Sequence, residues 1–292
     1  MRLLHLILPL ASAVVYVFGA LLLKRASDLG ADIWQTARLT NCFTALASLF
    51  LFLLGGTIPE PSLWWQPPVA AVLFFGGQIF TLLALTGGDV SVATPVLGLK
   101  ILLVAILAAV LIGDPIGTRL WAAAALSSAA IALLNVSRGH AHAHVVKTIV
   151  LAALGATSYA CFDVLVQKWS APWGTGRFLP IVMTSAAVYS VALPRAGVDY
   201  AAGPPRYKPY LTGGAALFSV QGLMFITSIS LYRHATVANV LYSSRGLWSV
   251  LGVWAIGHWF ANREQHLGAN VLFWRFIGAM LMMAALLMVL AR

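Results

Sequence analysis

An all-α integral membrane protein, with ten transmembrane helices in two inverted five-helix repeats, is the fold class this sequence predicts on three observations. The composition is too apolar for a soluble chain: 61% of the 292 residues are hydrophobic and 9% charged, with a mean hydropathy of +0.90, where globular domains carry about a quarter charged residues. The apolar residues arrive in long runs, each near the roughly 20 residues a helix needs to cross a bilayer. The two halves of the chain also resemble one another at a nearly fixed offset.

The first run, Leu4 to Leu23, follows Arg2 and contains Ala11-Ser12-Ala13, which has the look of a secretory cleavage site. It continues through Val14, Tyr16 and Phe18 without interruption, so it reads as a spanning helix and not as a removed signal. Trp34 to Leu54, Pro68 to Leu85, Val90 to Ile112 and Arg119 to Val136 complete a first unit, residues 1–136. A polar linker, residues 137–147, leads to a second unit, residues 148–292. Its runs are Thr148 to Val166, Phe178 to Leu193, Tyr210 to Leu231, Thr236 to Phe260 and Val271 to Leu290. None alternates with the two-residue period of a membrane barrel strand, and irregular backbone cannot face lipid, so all ten are read as helices. Breakers such as Gly55-Gly56, Gly87-Gly88 and Gly203 to Pro205 fall between them.

A shift of 143 residues sets Leu21 to Ser27 over Val164 to Ser170, Tyr16 over Tyr159 and Gln78 over Gln221. A shift of 145 sets Ser91-Val92-Ala93 over Thr236-Val237-Ala238 and Lys100 over Arg245. These matches in order point to duplication, and an odd number of spans per copy inserts the second copy upside down. Inverted repeats of this kind build transporters whose substrate site lies near the midplane.

Ionisable groups at membrane depth are costly and are functional candidates by default. Lys100 and Arg245 lie near the middle of the fourth and ninth runs, and Asp163 is the one acidic residue of eight inside an apolar run. Asn41, Gln78, Gln221, Asn239 and Tyr242 are embedded and neutral. Asn239, Tyr242 and Arg245 follow at i, i+3 and i+6, a slanting stripe on one helix. The substrate-binding candidates are therefore Lys100, Arg245, Gln78, Gln221, Asn239, Tyr242 and Asp163. Asp163 can neutralise one cation by a purely structural ion pair, which leaves the other to attract an anion. Arg38 and Arg275 lie close enough to span ends to reach the interface.

The net charge of +10 comes from 18 scattered basic residues, which form no basic face for nucleic acid. They read as headgroup anchors beside interfacial tryptophans, Trp64, Trp65, Trp121, Trp169, Trp173, Trp259 and Trp274. Cys42 and Cys161 have no metal-ligand spacing and read as small packing residues. His140, His142 and His144 in the linker form a metal-capable tract, but without carboxylate or thiol neighbours it is a poor fixed site. No metal site and no cofactor are expected. An enzyme is not expected either, because no nucleophile with a base and no carboxylate pair is embedded.

The segment Leu85-Thr86-Gly87-Gly88-Asp89-Val90-Ser91-Val92-Ala93-Thr94-Pro95, leading into Leu99-Lys100-Ile101-Leu102 and Leu111-Ile112-Gly113-Asp114-Pro115-Ile116-Gly117, resembles the drug/metabolite transporter superfamily, EamA type. That resemblance implies ten helices, cytoplasmic termini and a central cavity lined by both halves, with amino acids or other metabolites exported by many members. Asp114 matches the family's acidic residue after the fourth helix in type, and Glu264 matches the one after the ninth loosely. The stretch around Lys100 is also similar to the sugar-phosphate and nucleotide-sugar branch, which implies phosphate-binding roles for Lys100 and Arg245. With cytoplasmic termini, about six loop Lys and Arg lie inside and about eight outside, a weak lean against the positive-inside rule.

The expectation is a multi-pass secondary transporter in a bacterial inner membrane. It would move a small polar, anionic metabolite (amino acid, organic acid or phosphorylated metabolite) through an alternating-access cavity, by exchange or facilitated diffusion in preference to proton coupling, for which Asp163 is the one embedded carboxylate. A non-transporting sensor or scaffold and a metal-cation transporter using the histidine tract are the alternatives. Expected partners are the metabolite and the lipid bilayer, with no nucleic acid and with room for a homodimer.

Overall fold

The computed structural model describes residues 3–86, 90–134, 145–193, 206–256 and 269–291. Its helices are α1 (Leu4–Asp28), α2 (Ile33–Ser48, prolonged by a 3-10 stretch Leu49–Leu54), α3 (Gln66–Thr86), α4 (Val90–Gly98), α5 (Lys100–Ile112), α6 (Thr118–Leu134), α7 (Val145–Trp173), α8 (Thr175–Ser190), α9 (Lys208–Tyr232), α10 (Ala235–Ser243), α11 (Arg245–Ile256) and α12 (Ala269–Leu290). No strand occurs among the described residues. Among the described residues six stretches are long and apolar enough to cross a membrane: Leu4–Asp28, Ile33–Leu54, Pro61–Leu85, Val92–Ile112, Val145–Trp173 and Lys208–Tyr232. The linker histidines, Arg263 and Glu264 lie outside the described residues.

Local chemistry sets the helix ends. Asp32 caps α2 by accepting from the Gln35 N–H at 2.9 Å, which satisfies one of the orphan donors of the first turn. Gly113, at φ 73°, ends α5 in the left-handed conformation that glycine tolerates. The fourth and ninth predicted helices are each interrupted once, at Leu99 and Ser244. At both positions the backbone tightens to an i−3 hydrogen bond, Leu99 to Val96 at 3.1 Å and Ser244 to Leu241 at 3.2 Å. At the second, Ser243 and Ser244 return their hydroxyls to Val240 and Leu241 carbonyls, each at 2.6 Å, competing with the helix ladder.

Elements of the first half pack chiefly on elements of the second: α1 on α9, α6 on α12, α3 on α7 and α8, and α2 on α8 and α9. The α6–α12 contact uses small residues that let backbones approach. Ala123, Ala124, Ser127 and Ala130 of α6 are buried, while Ser128 turns to the Gly98 carbonyl of α4 at 3.1 Å and Ala125 and Ala129 are exposed. A Cβ on Gly278 of α12 would stand 3.0 Å from the Ala130 carbonyl oxygen. Large apolar side chains such as Phe50 and Leu53 lie open on the outside, the arrangement of a surface solvated by lipid.

Two expectations are corrected. Trp173 is no interfacial anchor: it is buried, and its indole N–H donates to Gln66 Oε1 at 3.0 Å, because the long α7 carries it between α3 and α8. Cys42 is exposed and not packed, since the buried face of α2 is Ala37, Asn41, Thr44 and Ser48.

Candidate functional site

Lys100 opens α5 immediately after the Leu99 interruption, and Arg245 opens α11 immediately after Ser244. Lys100 Nζ lies 2.8 Å from Asp163 Oδ2 of α7, with the lysine side chain 19% exposed and the aspartate 2%. Asn239 Nδ2 of α10 donates to the same carboxylate oxygen at 2.8 Å. The ion pair weighed from sequence therefore forms, and it uses Lys100.

Arg245 has a different environment. Its Nη1 donates to the Tyr242 hydroxyl at 3.0 Å, which in turn donates to Gln221 Oε1 of α9 at 2.8 Å. Ser12 of α1 closes this network by donating to the Gln221 backbone carbonyl at 2.8 Å. The guanidinium carbon stands 4.8 Å from the Tyr16 ring centre and 4.6 Å from that of Tyr242. Among the described residues no carboxylate lies within ion-pair distance of Arg245.

Lys100 also faces aromatic rings, 5.5 Å from the centre of Tyr159 and 5.2 Å from that of Phe225. The Phe225 and Tyr242 rings stack at 4.5 Å, so the two cations border one aromatic cluster. Gly77 of α3 makes room for it, since a Cβ there would come within 2.9 Å of the Tyr159 ring. Sequence reasoning missed Tyr159, Phe225 and Ser12 as site residues, although the shift of 143 had already set Tyr16 over Tyr159. Each cation meets the tyrosine of the other half: Lys100 meets Tyr159, and Arg245 meets Tyr16.

The remaining candidates are distributed around this cluster. Asn239 and Tyr242 join it, Asn239 through Lys100's partner Asp163 and Tyr242 through Arg245 itself, although the single-helix stripe read from the sequence is interrupted at Ser244, between Tyr242 and Arg245. Gln78 does not join Gln221. It exchanges two hydrogen bonds with Asn41 of α2, at 2.9 and 3.3 Å, as a separate polar pair between α2 and α3. Arg38 donates to the Leu193 carbonyl at 2.9 Å near a helix end. One turn beyond Asp163 on α7, Gln167 accepts from the Ala235 N–H at 2.8 Å and donates to Asp114 at 3.4 Å. Asp163 and Gln167 thus bind α10 at Asn239 and Ala235, two rungs of one ladder at matching four-residue spacing. An apolar groove of about 390 Å³ between the 3-10 stretch and α8, lined by Phe52, Ile181 and Tyr189 among others, contains none of these residues.

Among known proteins, residues 3–136 match the EamA-like transporter family. The resemblance read from the sequence is borne out over that first half, and the chain is multi-pass by its apolar helices. No curated protein matches it. A solved structure described as "Crystal structure of protein" superposes with a TM-score of 0.76 at 15% identity, covering 97% of this chain and 95% of that one. At that identity the likeness shows a shared fold.

Proposed function

We propose that this chain, whose residues 3–136 match the EamA-like transporter family, is a secondary transporter that moves a small anionic metabolite through the cluster around Lys100 and Arg245. One observation carries the anionic preference: among the described residues, Arg245, inside the membrane-spanning bundle, meets tyrosine faces and a hydroxyl in place of a carboxylate. A cation over an aromatic face gains about 0.5–2 kcal/mol. Leaving a buried charge without its partner costs about 3–5 kcal/mol. The shortfall is what a carboxylate or phosphate recovers through charge-assisted hydrogen bonds to the planar guanidinium.

Ten spans in two inverted halves remain the architecture we infer. The interruptions at Leu99 and Ser244 lie 145 residues apart, the same shift that relates Lys100 to Arg245. Exchanging the halves also turns the α1–α9 contact into the α7–α3 contact, and both are extensive. The predicted duplication at residues 1–136 and 148–292 accounts for both facts, and a bacterial inner membrane with cytoplasmic termini is the setting that the family resemblance favours.

The test is flux into proteoliposomes of an acidic metabolite and a size-matched cation, for wild type, Lys100→Gln and Arg245→Gln. Faster flux of the anion in wild type, reduced by Arg245→Gln, is expected. Faster flux of the cation, or undiminished anion flux in both variants, would contradict the proposal and leave the Lys100–Asp163 pair as a structural contact.

A further inference from the structure

Three charged side chains meet at the aromatic cluster among the described residues: Lys100, Arg245 and Asp163. Their sum is one positive charge. Under the shift of 143 residues Asp163 corresponds to Ala20 of the first half, so the carboxylate is where the two halves differ. Without it, the two cations would sum to two positive charges beside Phe225 and Tyr242.

We propose that Asp163 is the residue that sets the charge of the accepted substrate, making the site selective for a singly charged anion over a doubly charged one. This rests on the anion reading above and goes beyond it. The Asp163 carboxylate accepts from both the Lys100 ammonium and the Asn239 amide, so Lys100 is already neutralised when the substrate arrives. Arg245 is left as the anchor. One negative charge brings the cluster to neutrality, whereas a second would remain uncompensated among buried rings, where the low dielectric strengthens every mismatch. A cation meets one excess positive charge and is excluded.

Benzoate and phthalate separate these cases, because they share a ring and differ in charge at a pH where phthalate is doubly ionised. Binding of each is measured by calorimetry on the full chain in nanodiscs. Wild type is expected to bind benzoate at least about tenfold more tightly than phthalate, and Asp163→Asn to narrow or reverse that ratio by about tenfold or more. Because Asp163→Asn leaves Lys100 unpaired and can fail to fold, the double variant Lys100→Gln with Asp163→Asn provides a second reading. It keeps one net positive charge and is expected to retain the wild-type preference. Phthalate binding as tight as benzoate binding in wild type, or an unchanged ratio in a folded Asp163→Asn protein, would overturn the role of Asp163 while leaving anion binding intact. A double variant that prefers phthalate would overturn it too. If wild type bound neither anion, the anion reading itself would fall, and this inference with it.

Discussion

At the scale of single residues, the site divides into an internally balanced part and an unbalanced one. Lys100 has its carboxylate, and among the described residues Arg245 meets tyrosines and a hydroxyl but no carboxylate. Arg245→Lys keeps the charge but loses the planar fork, so anion flux should fall between wild type and Arg245→Gln in the same liposome assay. Tyr16→Phe retains the ring and should leave Arg245 in place, while Tyr16→Leu, losing about 1.4 kcal/mol of cation–π attraction, should shift anion affinity about tenfold. The hydrogen bond from Asn239 is a smaller matter. Bonds of this kind between membrane helices average about 0.6 kcal/mol, so Asn239→Ala should lower unfolding stability in detergent by roughly that amount. Lys100, Asp163 and Arg245 were legible in the sequence because ionisable groups at membrane depth are rare. Tyr242 was legible too, from its place on the stripe with Asn239. Tyr16 and Tyr159 were not, because aromatic residues are 11% of the chain and most of them simply face lipid or pack. The partner choice of Gln78 was equally hidden: the repeat pairs it with Gln221, whereas reach across α2 and α3 joins it to Asn41.

At the scale of elements, long apolar runs located α3 and α9 closely, while α1 and α7 run on past the predicted Leu23 and Val166 to Asp28 and Trp173, and run length says nothing about interruptions within a helix. The break before Arg245 arises from serine hydroxyls bonding back to carbonyls, and serines occur in many unbroken helices. The α6–α12 contact gives a sharper test of packing. Helical periodicity turns Ala125 and Ala129 of α6 outward while Ala123 and Ala124 are fully buried. Ala124→Leu inserts three carbons into a closed seam and should cost about 1–3 kcal/mol. Ala125→Leu, one residue further on, should stay within about 0.5 kcal/mol. Denaturant titration of the two variants in the same micelles compares them directly.

At the scale of the whole molecule, the halves meet along α1 with α9, α3 with α7 and α6 with α12, and the two cations lie one residue past corresponding interruptions. That arrangement suits a carrier whose two halves rock about a common site, each cation resting on a tyrosine of the opposite half. The duplication we infer rests on residue types that persist at a nearly constant shift. The identity of the balancing carboxylate was readable as well, but which cation it served depended on the distance between α5 and α7. Counterflow is the measurement that tests the central claim most directly. Proteoliposomes are loaded with unlabelled benzoate and diluted into a trace of labelled benzoate. A carrier with one site offered alternately to both sides gives a transient accumulation of label above its equilibrium level, and Arg245→Gln should abolish that overshoot. Labelled benzoate that only approaches equilibrium without exceeding it in wild type, or an overshoot that survives in Arg245→Gln, would contradict the account.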